Sequence, residues 1–282
     1  MWKEARIMKI KTFSQPGWHL FLGLFMLLLL TPIFFAVSNS FKTLNEAYNS
    51  MFAVIPSAPT LENYIYIFTR VPIIRITGNT LLVASTVTAF KILTSVLAAY
   101  AFVFLPLKNK NIIYFALVST IFIPFTVTMI PNYLIISSLN LADTPWGVIL
   151  PQLSDALGIF LIRQSMKMIP KSFIEYARLE DLSHLRILKD IVAPLVKPAI
   201  ISTSIIFFIN SWNEYVWPVL ILKTKENFTL PLALQMYISS EGGTEFTIAM
   251  AISVLTMLVP LVLYISFQKH IMSTFTSTGL KN

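Results

Sequence analysis

Apolar residues recur along the chain in six long runs, roughly 17–37, 81–105, 112–130, 147–166, 199–222 and 247–268. Each is close to the ~20 residues that a helix needs to cross about 30 Å of hydrocarbon. In lipid a spanning segment must satisfy its own backbone polar groups. The runs are also too long and too uniformly apolar for barrel strands. The pattern predicts an all-α membrane protein with six transmembrane helices. A segment 1–16 precedes the membrane domain 17–268, and a tail 269–282 follows it.

One stretch interrupts the pattern. Residues 167–197 are polar, charged and themselves periodic. Pro170 stops the preceding helix. Ser172 and Glu175 have the Ser-x-x-Glu spacing of a capping box, which predicts a short helix over 173–180. Asp181 and Ser183 are suited to break that helix and cap a second. On the second, Leu185, Leu188, Ile191, Val192 and Leu195 recur at helical spacing as one apolar stripe, bounded by Pro194 and Pro198. The segment therefore reads as two short helices meeting at a bend. It would either lie on lipid as an amphipathic hairpin or project into a groove on a partner.

Composition sharpens this picture. The chain is 56% hydrophobic and 12% charged, against about 25% charged in soluble domains. Net charge is +8, and its distribution points to topology rather than to nucleic acid. Lys3, Arg6, Lys9, Lys11, Lys108, Lys110, Arg163, Lys167, Lys171, Arg178, Arg186, Lys189, Lys197, Lys269 and Lys281 fall on one side of the six-span scheme. Lys42, Arg70, Arg75, Lys223 and Lys225 fall on the other. The bias of basic residues toward the cytoplasm places both termini and the 167–197 loop inside. With no cysteine, disulfides and thiolate metal sites are excluded. The apolar run near the N-terminus has no evident cleavage site and reads as a retained span.

Charged groups inside spans are costly and mark function by default. Lys91 falls near mid-membrane, with Asp155 and Glu214 as acidic counterparts. Lys91 either pairs with one of these or contacts an anionic solute. Asn210, Trp212, Asn213 and Trp217 offer amides and aromatic faces of the kind that sugar sites use, or serve as interhelical contacts. In the outer 38–80 segment, Tyr64, Tyr66 and Phe68 suit an interfacial aromatic belt or an external contact. His19, His184 and His270 have no metal-ligand spacing, so metal sites and intramembrane enzymes are poor readings. No phosphate-cradling Gly-x-x-x-x-Gly-Lys-Ser/Thr is present.

The block Glu175-Tyr176-Ala177, Arg178-Leu179-Glu180-Asp181, with Ile191, Pro194 and Pro198, resembles the EAA loop of ATP-binding-cassette importer permeases. Asn79-Thr80, Ala98-Ala99-Tyr100-Ala101, Pro131, Trp212-Asn213-Glu214-Tyr215 and Phe267-Gln268-Lys269 are similar to the carbohydrate branch, in the order that branch has them. Relatives there include the smaller maltose permease subunit and glycerol-3-phosphate permeases. Lys91-Ile92-Leu93-Thr94-Ser95 and the 240–246 segment tilt toward the latter. Two departures stand out: Tyr176 at a family Ala, and Asp181 at the family Gly, where a left-handed turn is expected. The tail 275–282 also carries fewer glycines than is usual.

The resemblance implies a bacterial-type inner-membrane permease that imports a carbohydrate-type solute, with sn-glycerol 3-phosphate favoured over an oligosaccharide. Its partners would be a homologous second permease, two cytoplasmic ATPase subunits that hold ATP and Mg2+, and an extracytoplasmic solute-binding protein. The chain itself would carry no cofactor and no catalytic residue. Phe173, Glu175, Tyr176, Ala177, Arg178, Leu179 and Asp181 would engage the ATPase. Lys91, Asn210, Asn213, Glu214 and Trp217 would line the solute path. An ion-coupled transporter or channel is the competing class; midplane charges suit it, but no inverted repeat is evident.

Overall fold

The computed structural model describes residues 15–238 and 245–279, with side chains described for 17–238 and 245–268. The expectations that rest on 1–14, 239–244 and the tail lie outside the described residues.

Helices dominate. α1 (Gln15–Ser40), α4 (Ile73–Phe104) and α14 (Phe246–Gly279) are long and unbroken. Each contains an apolar segment long enough to cross a membrane. The remaining long apolar runs are broken. α5 (Lys110–Phe122) and α6 (Phe125–Ser138) meet at 97°. Pro124 sits at the break and holds Ile123 extended. α7 (Pro145–Gln152) and α8 (Ala156–Lys167) meet at 46°. α10 (His184–Leu195) and α11 (Lys197–Trp212) meet at 81°, between Pro194 and Pro198. The run predicted over 199–222 also divides, into α11 and α12 (Val216–Ile221).

Two boundaries differ from the sequence expectation for identifiable reasons. α4 starts at Ile73, not near 81, so Asn79-Thr80 lies inside the helix. There the Asn79 amide donates to the carbonyls of Glu226 (2.8 Å) and Phe228 (3.1 Å). The Thr80 hydroxyl accepts from the Leu230 amide at 2.8 Å, which seats the start of α13 (Leu230–Ile238). The predicted outer loop is likewise ordered, as α2 (Leu44–Asn49) and α3 (Glu62–Arg70). Lys42, in this segment, is fully buried. Its ammonium donates to Asn39 Oδ1 and to the carbonyls of Ser50, Met51 and Ala53 at 2.8–3.3 Å.

α4 is the axis, packed against α8 and α11. Gly158 permits that closeness, since a Cβ there would stand 2.6 Å from the Phe207 ring. Two apolar cores form, one at each end. The far-end core gathers Ile76, Val83, Val87, Ile149, Trp212, Trp217 and Ile221. The other gathers Ala99, Tyr100, Ile162, Met166, Ile174, Ala177, Ile187, Leu188 and Val192. α1 packs on α14, and its side chains from Trp18 to Leu29 are mostly exposed apolar surface suited to lipid.

Candidate functional site: a bent elbow and a Lys–Asp pair

α9 (Lys171–Leu179) begins directly after Pro170, which occupies the N-cap position in an extended conformation. That start puts Ser172 in the first turn, too late to act as the cap, so the predicted capping box does not form. Glu175 is exposed. The far end of α9 closes with a Schellman motif. The Leu182 amide reaches the Ala177 carbonyl and the Asp181 amide reaches that of Arg178, both at 3.1 Å. Asp181 itself takes the left-handed conformation, φ 50°. It thus adopts the turn for which the family Gly is suited, and Asp tolerates that turn better than most side chains. Ser183 then caps α10 as expected, accepting from the Arg186 amide at 3.4 Å.

The predicted apolar stripe is buried only in its middle, at Leu188, Val192 and in part Ile191. Residues Ile187–Val192 form a π-helical stretch, which is wider than an α-turn and shifts the side-chain register. Ile187, Leu188 and Val192 are buried, whereas Leu185 is 73% exposed and Leu195 is half exposed. Ala177 packs into the chain's own core and is only 4% exposed. Phe173, Tyr176 and Leu179 are exposed at 50%, 71% and 79%. An open, mostly apolar groove of about 510 Å³ lies beside them, lined by Phe173, Tyr176, Ala177, Leu182, Ile191, Pro194 and Leu195, with Glu180 and Asp190 among its walls.

Two contacts that the sequence reading missed join the elbow to α4. Arg178 Nη2 donates to the Phe104 carbonyl at 2.8 Å. The Tyr100 hydroxyl and His184 Nδ1 lie 3.0 Å apart. A lone histidine in a polar loop gave no signal for the second.

At mid-depth Lys91 Nζ lies 3.0 Å from Asp155 Oδ2, the one salt bridge among the described residues. Lys91 also sits 5.1 Å over the Phe207 ring. Asp155 has a second role, as its Oδ1 caps α8 by accepting from the Leu157 amide at 2.9 Å. Glu214 does not approach Lys91 as a partner. Its Oε1 accepts from the Val216 (2.8 Å) and Trp217 (3.3 Å) amides at the start of α12. Trp217 is 1% exposed, donates to the Gly147 carbonyl at 3.2 Å and packs in the far-end core. Asn210 and Asn213 remain exposed. A cavity of about 160 Å³ at the far end is lined by Tyr66, Lys225, Tyr237 and Glu245 among others. That is below the ~300 Å³ at which ligand pockets begin. Burial, then Tyr66 and Glu245, push the Tyr237 hydroxyl up to about 12.

An all-helical membrane body, pinned to a bent amphipathic elbow and holding a neutralised charge pair at mid-depth, defines a transport component rather than an enzyme; ATP hydrolysis lies outside this chain. The chain belongs to the family of binding-protein-dependent transport system inner membrane components, whose profile matches residues 10–275. It is 29% identical to the arabinooligosaccharides transport system permease protein AraQ of Halalkalibacterium halodurans, over 97% of this chain and 100% of that one. It is 30% identical to the sn-glycerol-3-phosphate transport system permease protein UgpE of Escherichia coli, over 89% and 92%. A chain of a bacterial ABC transporter involved in the import of the acidic polysaccharide alginate shares its fold, with a TM-score of 0.79 at 24% identity, over 89% of this chain and 94% of that chain.

Proposed function

We propose that this chain is one of two permease subunits of an ATP-driven importer for a carbohydrate-type solute. In this reading each bent pair forms one span, giving six. The elbow end faces the cytoplasm, and α9 and α10 dock on an ATPase subunit. The exposure of Phe173, Tyr176 and Leu179 on an otherwise rigid elbow carries this reading. A Schellman bend, a buried core and the Arg178–Phe104 bond make the elbow stiff, so force applied to it reaches α4 as rigid-body motion. A second permease, two ATPases with ATP and Mg2+, and an external binding protein complete the assembly. Glu175→Lys and Leu179→Asp, each in the reconstituted complex, are expected to abolish most solute-stimulated ATP hydrolysis. Unchanged hydrolysis and unchanged assembly would refute the docking role.

Solute class follows from the mid-depth chemistry. Asp155 already neutralises Lys91, which weakens the argument that a buried lysine awaits a phosphate ester. The exposed Asn210 and Asn213 amides suit sugar hydroxyls. An oligosaccharide is therefore the first reading, and sn-glycerol 3-phosphate the second, supported by the likeness to UgpE. Competition for uptake among these solutes, measured with the reconstituted complex, separates the two.

A further inference from the structure

Arg163, on α8, is 7% exposed, yet no carboxylate pairs with it. Its guanidinium stacks flat on Tyr114 of α5, 3.7 Å from the ring centroid. The Nε of Arg163 and the hydroxyl of Tyr114 are both buried and have no hydrogen-bond partner. Buried charges are ordinarily paired, so this arrangement lacks an anion.

The surroundings tell what kind. α5 begins, and α8 ends, at the elbow end, so the two helices run antiparallel. Lys110 lies one turn before Tyr114, and Lys167 one turn after Arg163. By helical spacing each lysine shares a face with its partner in the stack, on the elbow side of it. Helical spacing thus places three cations along the α5–α8 contact. No acidic residue occurs in 63–142 or in 156–174 to neutralise them. None of the residues Lys110–Ser119 is buried, and Ile112, Ile113 and Phe115, beside that face, are 50–73% exposed. Arg163 stands four residues from the end of α8, about 6 Å along the axis, so the stack lies near the elbow end of that helix.

We propose that the α5–α8 crevice binds the phosphate of an anionic phospholipid. Arg163 forms the floor, Lys110 and Lys167 form the rim, and the acyl chains lie along the apolar face of α5. Basic pockets between membrane helices recognise such headgroups, and the planar guanidinium matches a phosphate bidentately. The stack on Tyr114 holds the fork in place before the lipid arrives.

Native mass spectrometry of the purified full-length chain tests this, with phosphatidylglycerol, phosphatidylcholine and inorganic phosphate as probes. Wild type is expected to retain phosphatidylglycerol at least about tenfold better than phosphatidylcholine, and Arg163→Gln to erase that preference. The doubly substituted Lys110→Gln/Lys167→Gln chain changes only exposed or half-buried positions, so it covers the case in which Arg163→Gln fails to fold. It is expected to lose several-fold of the preference. Equal retention of the two lipids, or an unaltered preference in the rim variant, overturns the proposal. Retention of inorganic phosphate in place of lipid overturns the lipid as source. Loss of bound phosphatidylglycerol once the second permease assembles overturns it in favour of a carboxylate from that chain.

Discussion

Lys91 and Asp155 face each other across the α4–α8 contact, and removing one leaves the other charged without a partner. Lys91→Met alone is expected to cost about 1–3 kcal/mol; the figure for buried pairs is larger, but both side chains here are partly exposed. Adding Asp155→Asn removes the orphan charge and keeps a side chain able to cap α8, so the double variant should regain most of the loss. Thermal unfolding of the three proteins in one detergent checks this, and a double variant no better than Lys91→Met contradicts it. Asp143 makes a second residue-scale case, in the connection between α6 and α7. Burial pushes its carboxyl up, but the amides of Lys223 and Thr224 and the side chains of Asn227 and Thr224 outweigh that and hold it below the ordinary carboxylate value. Its φ of 57° is one that Asn also tolerates, so Asp143→Asn removes charge with little change in backbone. A lowered folded pKa stabilises at pH values above the unfolded one. The benefit disappears as pH falls through the folded value. The stability advantage of wild type over Asp143→Asn should therefore be full near neutrality and vanish in acid below the ordinary carboxylate range. A pH-independent difference would refute the assignment.

At the scale of elements, the π stretch in α10 decides which side chains hold the elbow. Ile187→Ala removes a side chain that is 1% exposed from the elbow core and is expected to cost about 2–4 kcal/mol. Leu185→Ala, on the stripe that α-helical spacing selects, removes an exposed side chain and should cost under about 0.5 kcal/mol. Comparing the two unfolding midpoints tests the register directly, and the reverse ranking would restore the α-helical stripe. The elbow's bend was legible in the sequence, because Pro170, Asp181 and Ser183 each act through local backbone chemistry. Its inner face was legible in part: Leu188, Ile191 and Val192 do face the core, but a period of 3.6 residues misses Ile187 and includes the exposed Leu185 and Leu195 in and around a wider π-helical segment. Broken spans were half legible in the same way. Pro124, Pro194 and Pro198 mark two of the breaks. The other two carry Asp155 and Glu214, which inside apolar runs read as membrane-buried charges. Both hold the start of a half-helix, Asp155 while also pairing with Lys91, and an acidic residue within such a run is also a signal for such a start.

At the scale of the molecule, the six apolar runs and their helical character were readable from hydrophobicity alone, while the pairing of Lys91 with Asp155 required the fold. Orientation rests on charge. The elbow end presents Lys108, Lys110, Lys167, Lys171, Arg178, Arg186, Lys189 and Lys197 outside the apolar belt. The far end presents Arg70, Arg75, Lys223 and Lys225, since Lys42 is buried in its cage of carbonyls. Single cysteines at Leu185 and Phe52, introduced into a chain with no native cysteine, report the two ends cleanly, as both positions are highly exposed. In intact cells an impermeant thiol reagent with access only to the outer face should label the Phe52 position and leave the Leu185 position unlabelled. Permeabilising the membrane should then expose Leu185 to the reagent. Labelling of the Leu185 position in sealed cells would put the elbow on the side where no ATPase can reach it, and the coupling role would fall with the topology.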